Sequence, residues 1–229
     1  MTHAAQLTSL LDLDRAPVAI SFSDEAPGGV AALEDSAVSG CTYWKTAADG
    51  KSFYTVAADH YGCPVGAHTH GIDLPENVEA ELMDVIGTMV ELHYIEMEEV
   101  PGIPQLEGDF NFASYAPLGD ATFEAQVVLV TGNARQIMLL VEAAHAAGIA
   151  TDGSMVGRPT CAAIPAVIQS GQCVTNLACI GNRIYTELAD DQLYFAVAGD
   201  KLPSVLEKLE VAVNANNELT AYHTARLNA

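Results

Sequence analysis

Basic residues are scarce in this chain of 229 residues: 9 Lys and Arg stand against 30 Asp and Glu, a formal net charge of −21 at pH 7. So acidic a chain repels polyphosphate, which argues against nucleic acid and anionic membranes as partners. Long apolar runs are missing as well. None reaches the ~18–20 residues that cross a bilayer, and residues 1–7 lack the basic-then-apolar pattern of a secretory signal. Charged residues make up only 17% and hydrophobic ones 50%, a composition that excludes a disordered chain. At this length there is core enough for one large domain or two small fused ones. The five cysteines are odd in number. Without a secretory signal the expected location is the cytoplasm, where cysteines act as core fillers, metal ligands or redox groups rather than disulfides.

Familiar catalytic signatures are absent too. Gly50-Lys51-Ser52 has no glycine five residues before Gly50, so it is no phosphate-binding loop. No GxSxG elbow, HExxH helix or GxGxxG turn occurs.

What is present is a mixed succession of helical and strand patterns. Leu7, Leu10, Leu11 and Leu13 fall at helical spacing and stop before Pro17. Residues 17–23 alternate as a strand does, and residues 24–40 read as a loop with a short helix at 30–34. Residues 40–50 fit a short helix stopped by Gly50, and 53–58 a strand. Pro75 opens an amphipathic helix carrying Val78, Leu82, Val85, Ile86, Met89 and Val90. A strand is expected within 110–115. The almost unbroken apolar run at 125–130 reads as a strand buried on both faces, followed by a helix over 134–147. Residues 161–168 suggest a short helix, 193–197 a strand, 201–214 an amphipathic helix, and 216–229 a further helix. The expected fold is α/β (or α+β), with a mixed sheet and helices in one compact domain over residues 1–229.

Two halves, 7–118 and 119–229, share an order of parts. A strand precedes Cys41 in the first and Cys161 in the second. Cys41 lies nine residues before Gly50, and Cys161 ten before Gly171. Each half then reaches a cysteine beside glycine, at Gly62-Cys63-Pro64 and Cys179-Ile180-Gly181. Two related halves packed about a pseudo-twofold would bring Cys41, Cys63, Cys161 and Cys179 together and leave Cys173 unmatched.

Several short motifs occur in a distinctive order: Pro17-Val18-Ala19-Ile20, Cys41-Thr42-Tyr43-Trp44-Lys45-Thr46-Ala47, Gly50-Lys51-Ser52-Phe53-Tyr54, Cys63-Pro64-Val65-Gly66, Ala116-Pro117-Leu118, Gly157-Arg158-Pro159-Thr160-Cys161 and Cys179-Ile180-Gly181-Asn182-Arg183. In these the chain resembles the domain-of-unknown-function 169 family of bacterial and archaeal proteins, over roughly residues 7–210. The resemblance implies that Cys41, Cys63, Cys161 and Cys179 are the family's cysteine positions, and that Cys173, His68 and His70 are peculiar to this chain. It implies no activity.

Four thiolates from distant segments offer an all-sulfur shell suited to an iron–sulfur cluster or to zinc. The gaps between them are 21, 97 and 17 residues, unlike the tight pairs of zinc ribbons or the clustered run of ferredoxins. That spacing favours a [4Fe–4S] cluster set into a preformed domain, with haem or zinc as alternatives. His60, His68 and His70 lie near Cys63 and are candidates for catalytic proton transfer, and His68 or His70 could join Cys63 in ligating a metal. On a strand or loop, His68 and His70 would share one side. Arg158 and Arg183 stand out among so few basic residues, each close to a cysteine, as candidates to hold an anionic substrate. The expected function is a redox or small-molecule-activating metalloprotein with a small-molecule ligand or electron-transfer partner. The alternatives are a non-catalytic haem or metal sensor, or a small-molecule-binding domain with inert cysteines. The apolar surplus leaves room for a homo-oligomer interface.

Overall fold

A computed structural model describes residues 1–108, 110–153 and 159–228. The chain opens with helix α1 (His3–Leu11), N-capped by the Thr2 hydroxyl, and turns into strand β1 (Val18–Ser23). Residues 30–34 hold no helix. They contribute the two-residue strand β2 (Ala31–Ala32), because both alanines are exposed and no apolar stripe exists to dock a helix. Helix α2 (Gly40–Ala48) and strand β3 (Phe53–Thr55) follow. The strand expected to reach 58 ends early, passing into a 3₁₀ turn at Ala57–His60 that Asp59 closes by accepting from the Val56 N–H.

Helices α3 (Pro64–Thr69) and α4 (Glu76–Glu91) lead to strand β4 (Phe112–Pro117). The second half starts with strand β5 (Val127–Asn133) and helix α5 (Ala134–Ala146), capped reciprocally by Asn133 and Gln136. Strand β6 (Thr151–Asp152) precedes helix α6 (Ala163–Ser170), which a 3₁₀ turn at Thr160–Ala162 introduces. Strand β7 (Cys173–Asn176), helix α7 (Ile180–Thr186) and strand β8 (Gln192–Ala198) come next. The two helices expected after residue 201 are one, α8 (Leu202–Leu227).

All eight strands form one sheet in the order β2-β3-β4-β1-β5-β8-β7-β6. The order reads alike from either end. β1 and β5 pair antiparallel at the centre, β4 and β8 flank them antiparallel, β3 and β7 come next antiparallel, and the outermost pairs β2–β3 and β6–β7 are parallel. A twofold between β1 and β5 would exchange α2 with α6, and α3 with α7. Each helix of the first pair lies between the two outer strands of its half, and each of the second leads back towards the inner strands.

The period-two alternation of the central strands supplies two cores. Val127 and Leu129 join Ile20, Tyr43, Trp44, Tyr115, Ile164 and Tyr194 on one face of the sheet. Val128 and Val130 join Leu7, Ile137, Leu140, Phe195, Leu206 and Leu209 on the other. β5 is therefore covered on both sides, as its sequence predicts.

The halves differ in what connects the third strand to its inner neighbour. Residues 177–191 hold only α7, whereas 56–111 also hold α4 and a 3₁₀ turn at Met97–Gly102. This insert forms a small core of its own, with Leu82, Ile86 and Ile95 packed around Val65 of α3. It is pinned to the end of α3 by Ile72 N–H donating to Ala67 O (3.0 Å) and Leu106 N–H to Thr69 O (2.8 Å). Among the described residues no helix is long and apolar enough to cross a membrane.

Candidate metal centre

The four cysteines that the halves have in common line one cavity of about 380 Å³. Each stands where a helix begins. Cys41 is in the first turn of α2, Cys63 immediately precedes α3, Cys161 lies in the 3₁₀ turn that runs into α6, and Cys179 caps α7. Helix starts leave backbone N–H groups without partners inside the helix, so such a group can donate to a sulfur. Asn182 N–H is one, donating to Cys179 Sγ at 3.4 Å. The exchange of α2 with α6 and of α3 with α7 pairs Cys41 with Cys161 and Cys63 with Cys179.

A hydroxyl ties the two cysteines of each half together. Ser39 Oγ accepts from Cys41 N–H (3.4 Å) and faces Cys63 Sγ at 4.0 Å. Thr160, next to Cys161, accepts at Oγ1 from Cys179 N–H (2.6 Å). Glycine sets how close the backbone comes. A Cβ on Gly66 would lie 3.0 Å from Cys63 Sγ, and one on Gly62 would lie 3.0 Å from Ala37 O.

Cys41 and Cys161 are buried, and Cys63 and Cys179 are half-buried. Burial pushes the Cys41 thiol well above its ordinary range; facing Asn182 draws it down, and the neighbouring Cys63 and Cys179 push it up again. Burial likewise raises Cys161, with Cys41, Cys63 and Cys179 adding to the effect against a hydrogen bond from Thr69. Cys41 and Cys161 therefore resist ionising together, because desolvated like charges repel. Another wall of the cavity is mainly apolar: Leu82, Val85, Ile86 and Met89 of α4, beside Glu81, with Ile95 and Val100 beyond. Among the described residues no three His, Cys, Asp or Glu side chains are placed to hold a single metal ion.

The histidines divide. His68 borders the cavity, whereas His60 and His70 do not and are both 1% exposed. The expectation that His68 and His70 share a side fails, because they fall on the last turn and cap of α3 rather than on a strand. His60 Nε2 is 2.8 Å from Thr55 Oγ1, and among the described residues neither nitrogen of His70 has a hydrogen-bond partner. The two rings meet edge to face with centroids 5.8 Å apart, and His70 packs on Phe22. Burial lowers His60 to about 3, assisted by His70, and lowers His70 to about 4. Both are neutral at physiological pH.

Arg183 does not line the cavity. Its guanidinium donates to Leu177 O (2.6 Å), Ala189 O (2.9 Å) and Gln192 O (3.2 Å), closing the loops around α7. Arg158 lies outside the described residues. Cys173 belongs to the other face of the sheet, fully buried among Phe195, Val197 and their neighbours.

Sequence reasoning missed Ser39, Thr160 and Asn182, and the apolar wall from α4. Ser39 carried the usual signature of a helix N-cap. Asn182 sits inside a helix, where an amide ordinarily reads as surface.

The fold and site define an α/β protein in which four of the five cysteines converge on a shared cavity. The family model of DUF169, described as "Uncharacterised ArCR", matches residues 6–208, and the chain belongs to that family. No curated protein and no solved structure matches it.

Proposed function

We propose that the chain holds a [4Fe–4S] cluster on Cys41, Cys63, Cys161 and Cys179 and serves in electron transfer. The observation that carries this reading is the convergence of all four cysteines, from four separate helix starts, on one cavity. Its volume falls within the roughly 300–1,000 Å³ usual for cofactor sites. The donor set is soft and all-sulfur. A cubane also asks for sulfurs spread around a space rather than gathered at a point, since each thiolate takes a different iron.

The remaining features suit the same occupant. Gly66 leaves the space beside Cys63 Sγ open, and among the described residues no hydrogen bond satisfies Asn182 Nδ2, buried at the cavity. When bound, the cluster would supply reversible one-electron storage. The chain's own part is to keep thiolates in place, offer N–H donors to sulfur, and exclude water with the apolar α4 wall. Cys63 and Cys179 are the more exposed pair, so an electron-transfer partner would approach on their side.

Anaerobic reconstitution of the full chain with iron and sulfide tests the reading. The expected product is brown, with visible absorption that bleaches on dithionite. Serine at Cys41, Cys63, Cys161 or Cys179 lowers the iron content, and Cys173→Ser leaves it intact. Stoichiometric zinc, a sharp Soret band, or no metal at all would overturn the cluster in favour of zinc, haem or inert thiols.

A further inference from the structure

We infer that Asn182 is the positioning residue that sets the electron affinity of the centre, by directing its side-chain amide into the cavity that the cysteines share. The inference rests on the cluster reading above and concerns an asymmetry that reading does not use. The position three residues after the helix-starting cysteine is Gly66 in the first half and Asn182 in the second. At the first there is no side chain; at the second there is a primary amide, 1% exposed, in the wall of the cavity.

One residue therefore serves cysteines of both halves. Its backbone N–H donates to Cys179 Sγ at 3.4 Å. Its side chain lines the same cavity as Cys41 of the other half. Among the described residues no hydrogen bond satisfies Nδ2, and a buried amide left in that condition costs about 1–3 kcal/mol. A sulfur acceptor carrying negative charge would relieve that cost.

The amide is held in this sense from behind. Tyr194 OH donates to Thr186 Oγ1 (3.2 Å), which in turn donates to Asn182 O (2.8 Å) and lies 3.5 Å from Asn182 Oδ1. With Oδ1 turned to that hydroxyl, Nδ2 is left for the cavity. Donors to the sulfurs stabilise the more negative, reduced state, and hydrogen bonding to sulfur is one of the factors that set cluster potentials.

The test is a spectroelectrochemical titration of reconstituted full-length chain, with iron measured in every sample. Asn182→Leu should keep its iron and lower the midpoint potential by at least a tenfold change in equilibrium, about 59 mV for a one-electron couple. Thr186→Val, which leaves Asn182 in place but removes the hydroxyl behind it, should move the potential the same way by less. Asn182→Ser, with a donor on a shorter arm, should fall between wild type and the leucine variant. Iron retained at an unchanged potential in the leucine and valine variants overturns this inference and leaves the cluster standing. Loss of iron from Asn182→Leu with an unchanged potential in Thr186→Val and Asn182→Ser also overturns it, making Asn182 a folding residue. Wild-type chain that takes up no iron removes the cluster reading itself.

Discussion

Gly66 lies against the sulfur of Cys63: a Cβ built on the glycine would stand 3.0 Å from Sγ. The contact is tight but involves a side chain that can turn. Gly66→Ala should therefore leave the fold intact or slightly firmer, since alanine gains up to about 1 kcal/mol over glycine in a helix. The displaced Sγ should lower iron uptake several-fold. Thermal melting and iron content on one preparation separate the two effects.

His60 and His70 make the fold acid-sensitive. Their folded values, about 3 and about 4, lie below the ~6.5 of an unfolded histidine. The unfolded chain therefore binds protons first as pH falls. Stability is fully present above pH ~6.5 and is lost between there and the folded values, by about 1.4 kcal/mol per pH unit for each histidine. Urea midpoints from pH 7 to 4.5 should fall steadily in wild type and less steeply in His70→Phe.

Cys173 is fully buried in the core that α1, α5 and α8 share, and burial pushes its thiol up to about 12. Cys173→Ser places a hydroxyl in that apolar setting and should cost about 1–3 kcal/mol. In a chain of this size that lowers the melting temperature by about 2–4 °C for each kcal/mol. Iron content should not change, because the sheet lies between this residue and the cavity.

Two glycines should respond in opposite senses. A Cβ on Gly199 would fall 1.8 Å from Ala125 O, a backbone atom that cannot turn aside, whereas one on Gly87 meets nothing within 4 Å. Gly199→Ala should destabilise by about 1–3 kcal/mol or more. Gly87→Ala, inside α4, should stabilise by roughly 0.5–1 kcal/mol. Chemical denaturation of both variants checks the pair.

Elements with a strong apolar pattern were legible in the sequence. β5 announced itself by an unbroken apolar run because both its faces are covered, and α4 by Pro75 followed by a stripe that faces the cavity. α7 was not legible, because its pattern is inverted. Asn182 and Thr186 point inward, while Ile180 and Ile184 are 65% and 66% exposed. β7 is only four residues long, too short to show alternation. α3 escaped although Pro64 stands at its first turn, since a six-residue helix containing Gly66 has no stripe to read. The cysteine set was legible from the order of parts around it. Its hydrogen-bonding surroundings were not, since Ser39, Thr160 and Asn182 acquire their roles only when separate segments meet.

The sheet ends in the same way on both sides. Its outermost strands, β2 and β6, are two residues long, so among the described residues neither border offers a run of unpaired amides and carbonyls on which another chain could add a strand. With half its residues hydrophobic, the protein carries much material for cross-strand aggregation and gives it almost no template. Copies of this chain should therefore associate, where they do, through side chains rather than by extending the sheet.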